Sequence, residues 1–237
     1  MGCLVSMTFH HTQKNTLIFF LKTITYFGLL FISLDCFGSS EFKKLKQLHT
    51  ELPRKIKTSH YFNITAIMMK NSGWTIQELT AELPKASEIF HKCDISIRKI
   101  NTVTLPSSIK NLDYGFSEAL ELVNRLPKEL EQPWIIFFRY SKQENKAFSK
   151  TLNGAKETEK YNYSFISHEV TEPEYRKIRN VKASTVAHEL AHIILNSEHI
   201  QDSKTPNILA SSYKFIDDSF TQDQCAKALK SPLIFKY

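Results

Sequence analysis

His188 and His192 stand four residues apart with Glu189 beside the first, in the order His-Glu-x-x-His. On an α-helix this spacing is about one turn, so both imidazoles lie on one face and can reach a single ion. Glu189 then projects next to the first imidazole, where its carboxylate can take a proton from a water held by that ion. Zinc in such a setting brings the water's pKa to about 7 and polarises a carbonyl beside it. The flanks suit a buried helix, because Val186, Ala187, Leu190, Ala191, Ile193, Ile194 and Leu195 surround the polar triad. Three ionisable side chains in so apolar a helix need a compensating partner, and a cation supplies one.

A catalytic zinc takes three protein ligands and keeps a fourth position open. His199 and Glu198 compete for the third place, and an exposed loop pair bound to nothing is the alternative. If the helix simply continued, His199 would share its face but lie about 10 Å further along the axis, beyond a common ion. The chain must therefore leave the helix and fold back. Asn196 suits that turn, since asparagine follows glycine in tolerating a left-handed helix cap.

The stretch Ala187 to His199, with Pro206-Asn207-Ile208-Leu209-Ala210 downstream, resembles the metzincin clan of zinc peptidases. That clan carries H-E-x-x-H-x-x-G-x-x-H, followed by a methionine-containing turn beneath the metal. Here the third histidine comes one residue late and no glycine intervenes. Asn196 to His199 nevertheless keeps the clan's three-residue step from glycine to histidine. Leu209 stands where the clan has methionine, an apolar floor that leucine fills with similar volume.

The resemblance implies a metzincin-like zincin fold and a zinc-dependent endopeptidase acting on peptides or proteins. It implies His188, His192 and His199 as zinc ligands and Glu189 as general base. It also implies an edge strand along the cleft, for which Tyr161 to Val170 lies at a suitable distance upstream. Tyr213 is the nearest tyrosine to the turn for an oxyanion role. Two competing readings stay open. One is a zinc hydrolase outside the clan, with a distant glutamate as third ligand. The other is an exported binding or effector protein that keeps zinc without catalysis.

The elements that must position these residues follow from periodicity and turn chemistry. Tyr61 to Met69 is rich in strand formers, and Asn71-Ser72-Gly73 is turn material. Thr75 with Glu78 forms a capping box, opening a backing helix with its stripe at Ile76, Leu79, Leu83, Ala86, Ile89 and Phe90. Pro84 is expected to kink or divide it. Ile95 to Leu105 predicts a second strand, Phe116 to Leu126 a short amphipathic helix, and Trp134 to Phe138 a central strand covered on both faces. Residues 141–160 are polar and lysine-rich and predict a surface loop. Ser184 to Leu195 is the motif helix, and Gln222 to Lys230 a last helix stopped by Ser231-Pro232. The pattern describes an α+β fold, a mixed sheet with a backing helix and an active-site helix.

Residues 1–38 do not belong to this core. Lys14 precedes an apolar run, and its uninterrupted part, Thr23 to Leu34, has the length of a signal-peptide core. Cys36 and Gly38 take the −3 and −1 places before a cleavage at Ser39. Residues 39–237 are then the metallopeptidase domain, secreted or periplasmic, with no stable membrane association once the signal is removed. An uncleaved anchor over Leu17 to Leu34 is the alternative. Ser39 to Lys57 reads as a lead-in with a weak helical stripe at Leu45, Leu48 and Leu52.

Lysine and arginine number 31 against 24 acidic residues, a net charge of +7. The basic residues are scattered without interleaved aromatics, which excludes the usual footprint of nucleic-acid binding. Cys93 and Cys225 alone remain beyond the leader, as one disulfide or two buried thiols.

Overall fold

The run Trp134–Phe138 has five large apolar side chains in a row, which only a strand covered on both faces can bury. In the computed structural model every one of them is fully buried at the centre of a seven-stranded sheet. The structure describes residues 47–52, 57–105, 111–112, 117–141, 147–150, 162–173, 184–201, 205–211 and 216–237. The expected leader over 1–38 and Tyr213 lie outside the described residues.

The elements in chain order are β1 (Gln47–Glu51), β2 (His60–Met69), α1 (Ile76–Phe90), β3 (Ile95–Leu105), β4 (Asn111–Leu112), α2 (Ser117–Arg125), β5 (Trp134–Phe138), β6 (Tyr140–Ser141), β7 (Ala147–Lys150), β8 (Tyr163–Ser167), α3 (Thr185–Leu195), α4 (Gln222–Ala228) and β9 (Phe235–Lys236). The sheet runs β1-β3-β2-β5-β8-β7, and β9 pairs with the start of β2. The four inner strands are parallel, and both edges, β1 and β7, are antiparallel.

This layout follows from crossover handedness. The chain steps from β2 to β3 through α1, then back past β2 to β5 through α2. Right-handed crossovers taken in opposite directions place their helices on opposite faces of a sheet. Accordingly Phe62, Ile64, Ile135 and Phe137 pack with α1, while Ile67, Met69, Trp134, Ile136 and Phe138 pack with α2. The first face has room beside α1, and α3 fills it with Val186, Ala187, Leu190, Ala191, Ile194 and Leu195.

Several local expectations need correction. Gln47–Glu51 is not a helical lead-in but a strand paired along its whole length with β3, so it belongs to the folded domain. Pro84 does not divide α1, which is a single helix opened by the Thr75–Glu78 capping box. The lysine-rich stretch 141–160 contains β7, and β7 is the sheet edge. Tyr163–Ser167 lies one strand inward, between β5 and β7. The edge strand expected at Tyr161 to Val170 is thus misplaced by one strand. Its residues are all buried, as an inner strand demands, whereas a substrate-binding edge must leave backbone groups unpaired.

Beyond β8 a 3₁₀ turn, His168–Thr171, carries His168 away from the sheet. His168 meets Trp74 edge-on at 5.5 Å, and its Nε2 is 3.2 Å from Glu78 Oε1. It therefore pins this turn to the start of α1. Gly73, at φ 81°, lies close enough that a Cβ there would stand 3.2 Å from the His168 ring.

Cys93 and Cys225 are joined as a disulfide, which ties the end of the α1 region to α4 across a separation of 132 residues. The chain-entropy argument gives a loop of that size a stabilisation of about 5 kcal/mol at 25 °C. Replacing both cysteines by alanine should lower the unfolding free energy by up to that amount. Guanidinium unfolding of the two proteins under oxidising conditions would measure it, and identical midpoints would contradict it.

Candidate metal centre

Ser184 begins the motif helix. Its hydroxyl accepts from Ala187 N at 3.3 Å, and its own N–H donates to Asp218 Oδ1 at 3.0 Å. The helix buries nearly every side chain it has, so His188 and Glu189 are carried into the interior, 8% and 5% exposed. At the other end Asn196 takes φ 44°, ψ 58°, a left-handed cap whose N–H returns to His192 O and Ile193 O. That reversal brings the following chain back over the helix.

His199 arrives there as the third imidazole. Its Nε2 lies 3.1 Å from His188 Nε2 and 3.3 Å from His192 Nε2, and the first two are 3.1 Å apart. The three ligand atoms form one group, and Glu198 is not a member of it. His199 is exposed while His188 is buried, so the cluster opens to solvent on one side.

The outer nitrogens explain why the inner ones converge. His188 Nδ1 is 2.5 Å from Ile208 O, and His192 Nδ1 is 2.7 Å from Ser197 O. A carbonyl can only accept, so each Nδ1 must be the protonated nitrogen. Each Nε2 then presents a lone pair, and lone pairs at 3.1 Å with no proton between them repel. A cation at their focus removes that repulsion. Tetrahedral zinc with Zn–N bonds of 2.0–2.1 Å sets its ligand nitrogens about 3.3–3.4 Å apart, close to the separations found. The residues fit such an ion.

Burial acts in the same direction. It lowers His188 to about 3, with help from the neighbouring His192 and His199 imidazoles. It lowers His192 to about 4, and it lowers His199 as well. All three rings are therefore neutral and able to donate a lone pair at pH 7. Burial also raises the Glu189 carboxyl to about 7, against an opposing hydrogen bond from Ser149.

Beneath the rings, Ile208, Leu209 and Ala210 are fully buried. This turn is fastened to the His199 loop by Ile200 N donating to Leu209 O at 2.7 Å and Ser211 N to Ile200 O at 3.2 Å. Asn207 shapes the turn by accepting Leu209 N at 2.9 Å, and it shares a reciprocal amide pair with Gln224 of α4, at 2.8 and 3.0 Å. Lys227, also on α4, donates to Asn196 O at 3.3 Å and Ser197 Oγ at 2.6 Å. Ser149, Gln224 and Lys227 were not identifiable from residue type, and Asn207 was legible only as part of the turn. Asparagine, glutamine and lysine are ordinary surface residues, and only their meeting across the fold gives them this role.

No family model matches the chain, and no curated protein matches it in sequence. In fold it is similar to metalloproteinase-II from Bacteroides fragilis, with a TM-score of 0.50 over 76% of this chain and 13% sequence identity. The chain spans 55% of that protein's length. The protein thus has an α+β, zincin-like fold like that of a metalloproteinase, with a three-histidine group able to hold a metal.

The depressed histidines make a prediction for the metal-free protein. Unfolded histidines bind protons below about 6.5, but His188 and His192 in the fold do not until pH 4 or lower. The unfolded state then holds more protons, so stability falls as pH drops from about 6.5 to 4. Glu189 opposes this with one proton, its folded pKa being raised, so its contribution is lost as pH rises from about 4.5 to 7. In chelator, the urea midpoint should therefore be lower at pH 5 than at pH 7, and Glu189→Gln should steepen the difference. A flat or inverted profile would contradict the burial of neutral imidazoles.

Proposed function

We propose that the protein is an exported zinc-dependent peptidase of metzincin type, with His188, His192 and His199 as metal ligands and Glu189 as general base. One observation carries this reading: the Nε2 atoms of three imidazoles converge to within 3.3 Å of one another, with the lone pairs of His188 and His192 turned inward by their Nδ1 bonds. Imidazole donors favour zinc over magnesium or calcium, which take oxygen ligands. Zinc, when bound, supplies an acidified water and a polarised peptide carbonyl.

The chain's own residues supply the rest. Glu189 follows His188 on the helix and is nearly buried, and a carboxyl raised to about 7 is well matched to taking and returning a proton near neutral pH. It removes the proton from the attacking water and delivers it to the departing amine nitrogen. The exposed side of the cluster, at His199, is where a substrate carbonyl can approach. β7, the antiparallel edge lying against α3, offers backbone groups to which an extended peptide can add as a further strand. Such pairing favours peptides or proteins as substrates and reads little of their sequence.

Export is supported by the Cys93–Cys225 disulfide, since such bonds persist in oxidising compartments, and by the signal-like pattern of residues 1–38. Among the described residues no helix is long and apolar enough to cross a membrane.

Glu189→Gln should keep its metal and lose at least about 100-fold in peptide hydrolysis, as expected on removing a general base. Hydrolysis at the unaltered rate would remove the mechanism. His199→Ala should lose bound zinc by elemental analysis, and normal zinc content would move the third ligand elsewhere. Cleavage of a mixed peptide library, abolished by a chelator and restored by zinc, separates a peptidase from a zinc-holding binding protein.

A further inference from the structure

Ser149 lies on β7, in register with Ser164 of β8. Its Oγ is 3.0 Å from Glu189 O and in hydrogen-bond contact with Glu189 Oε2. Glu189 is 5% exposed, so its carboxylate draws little on bulk water for partners. Among the described residues, Ser149 provides the side-chain hydrogen bond to it.

We propose that Ser149 is a positioning residue for Glu189, linking the edge strand of the cleft to the general base. This rests on the peptidase reading. The hydroxyl has one proton and two acceptors within reach, the carboxylate Oε2 and the main-chain oxygen of the same residue. While Glu189 is charged, the proton points to Oε2 and fixes the carboxylate, leaving Oε1 to take the proton from water. Once Oε1 has taken that proton, Oε2 remains a carbonyl acceptor and keeps the same hydrogen bond from the hydroxyl. The contact keeps Oε2 from standing as an unpartnered polar atom on a buried residue.

The placement on β7 gives the contact a second consequence. A peptide pairing with this edge adjusts the same short strand that holds Glu189, so substrate docking and the orientation of the base are mechanically joined. Removing the hydroxyl should therefore impair turnover rather than binding.

The test compares the zinc-loaded wild-type protein with Ser149→Ala and Ser149→Thr, measuring kcat, KM and bound zinc. Ser149→Ala should lower kcat about tenfold or more, as loss of positioning does, with KM within about twofold and zinc content unchanged. Ser149→Thr keeps a hydroxyl on a residue suited to a strand and should restore most of the rate. Unaltered kcat in Ser149→Ala overturns the inference. So does equal loss in both variants, which would assign the effect to strand packing, and so does a loss of rate matched by a loss of zinc. A wild-type protein without zinc-dependent cleavage would instead overturn the peptidase reading, and the role of Ser149 with it.

Discussion

Two main-chain carbonyls, Ile208 O and Ser197 O, decide what this protein's histidines can do. By accepting from the Nδ1 atoms of His188 and His192 they fix the tautomer of each ring and turn its free lone pair inward. A histidine free to rotate or to exchange tautomers is a poor preformed ligand. The two that share the helix are neither. The rest of the architecture near the site can be understood as what keeps those carbonyls and His199 in place.

That support comes from α4, some thirty residues further along the chain. Gln224 clasps Asn207, whose side chain shapes the turn that carries Ile208 O. Lys227 grips Asn196 O and Ser197 Oγ at the end of the motif helix, beside the carbonyl that orients His192. Between them Cys225 is bonded to Cys93, anchoring α4 to the turn that follows α1. One short helix thus braces both carbonyls, and a covalent bond braces the helix.

The buried acid is held from the other side. Glu189 faces β7 and receives Ser149, so its carboxylate is tied to the sheet edge while its neighbour His188 is tied to the turn carrying Ile208. His188 and Glu189 are adjacent residues of α3, so one stretch of this helix joins the sheet edge to the turn carrying Ile208.

Spacing alone revealed the helix face shared by His188 and His192, because a four-residue step has one meaning on a helix. It also revealed the burial of Trp134–Phe138 and the Thr75–Glu78 capping box, since these depend on neighbours in the chain. Asn196 was legible as the reversal point for the same reason, left-handed backbone being open to few residues. The edge strand was not. Ala147–Lys150 has too few apolar residues to announce itself, and its strand character is conferred by the ladder it forms with Tyr163–Ser167. β1 and β9 likewise exist only through pairing with distant strands. Ile208 meeting His188 and Ser149 meeting Glu189 join segments 20 and 40 residues apart, and His199 and Ser197 lie past the cap at Asn196, where the helical period has ended. Such contacts carry no local period for a linear pattern to display, and so the fold had to decide them.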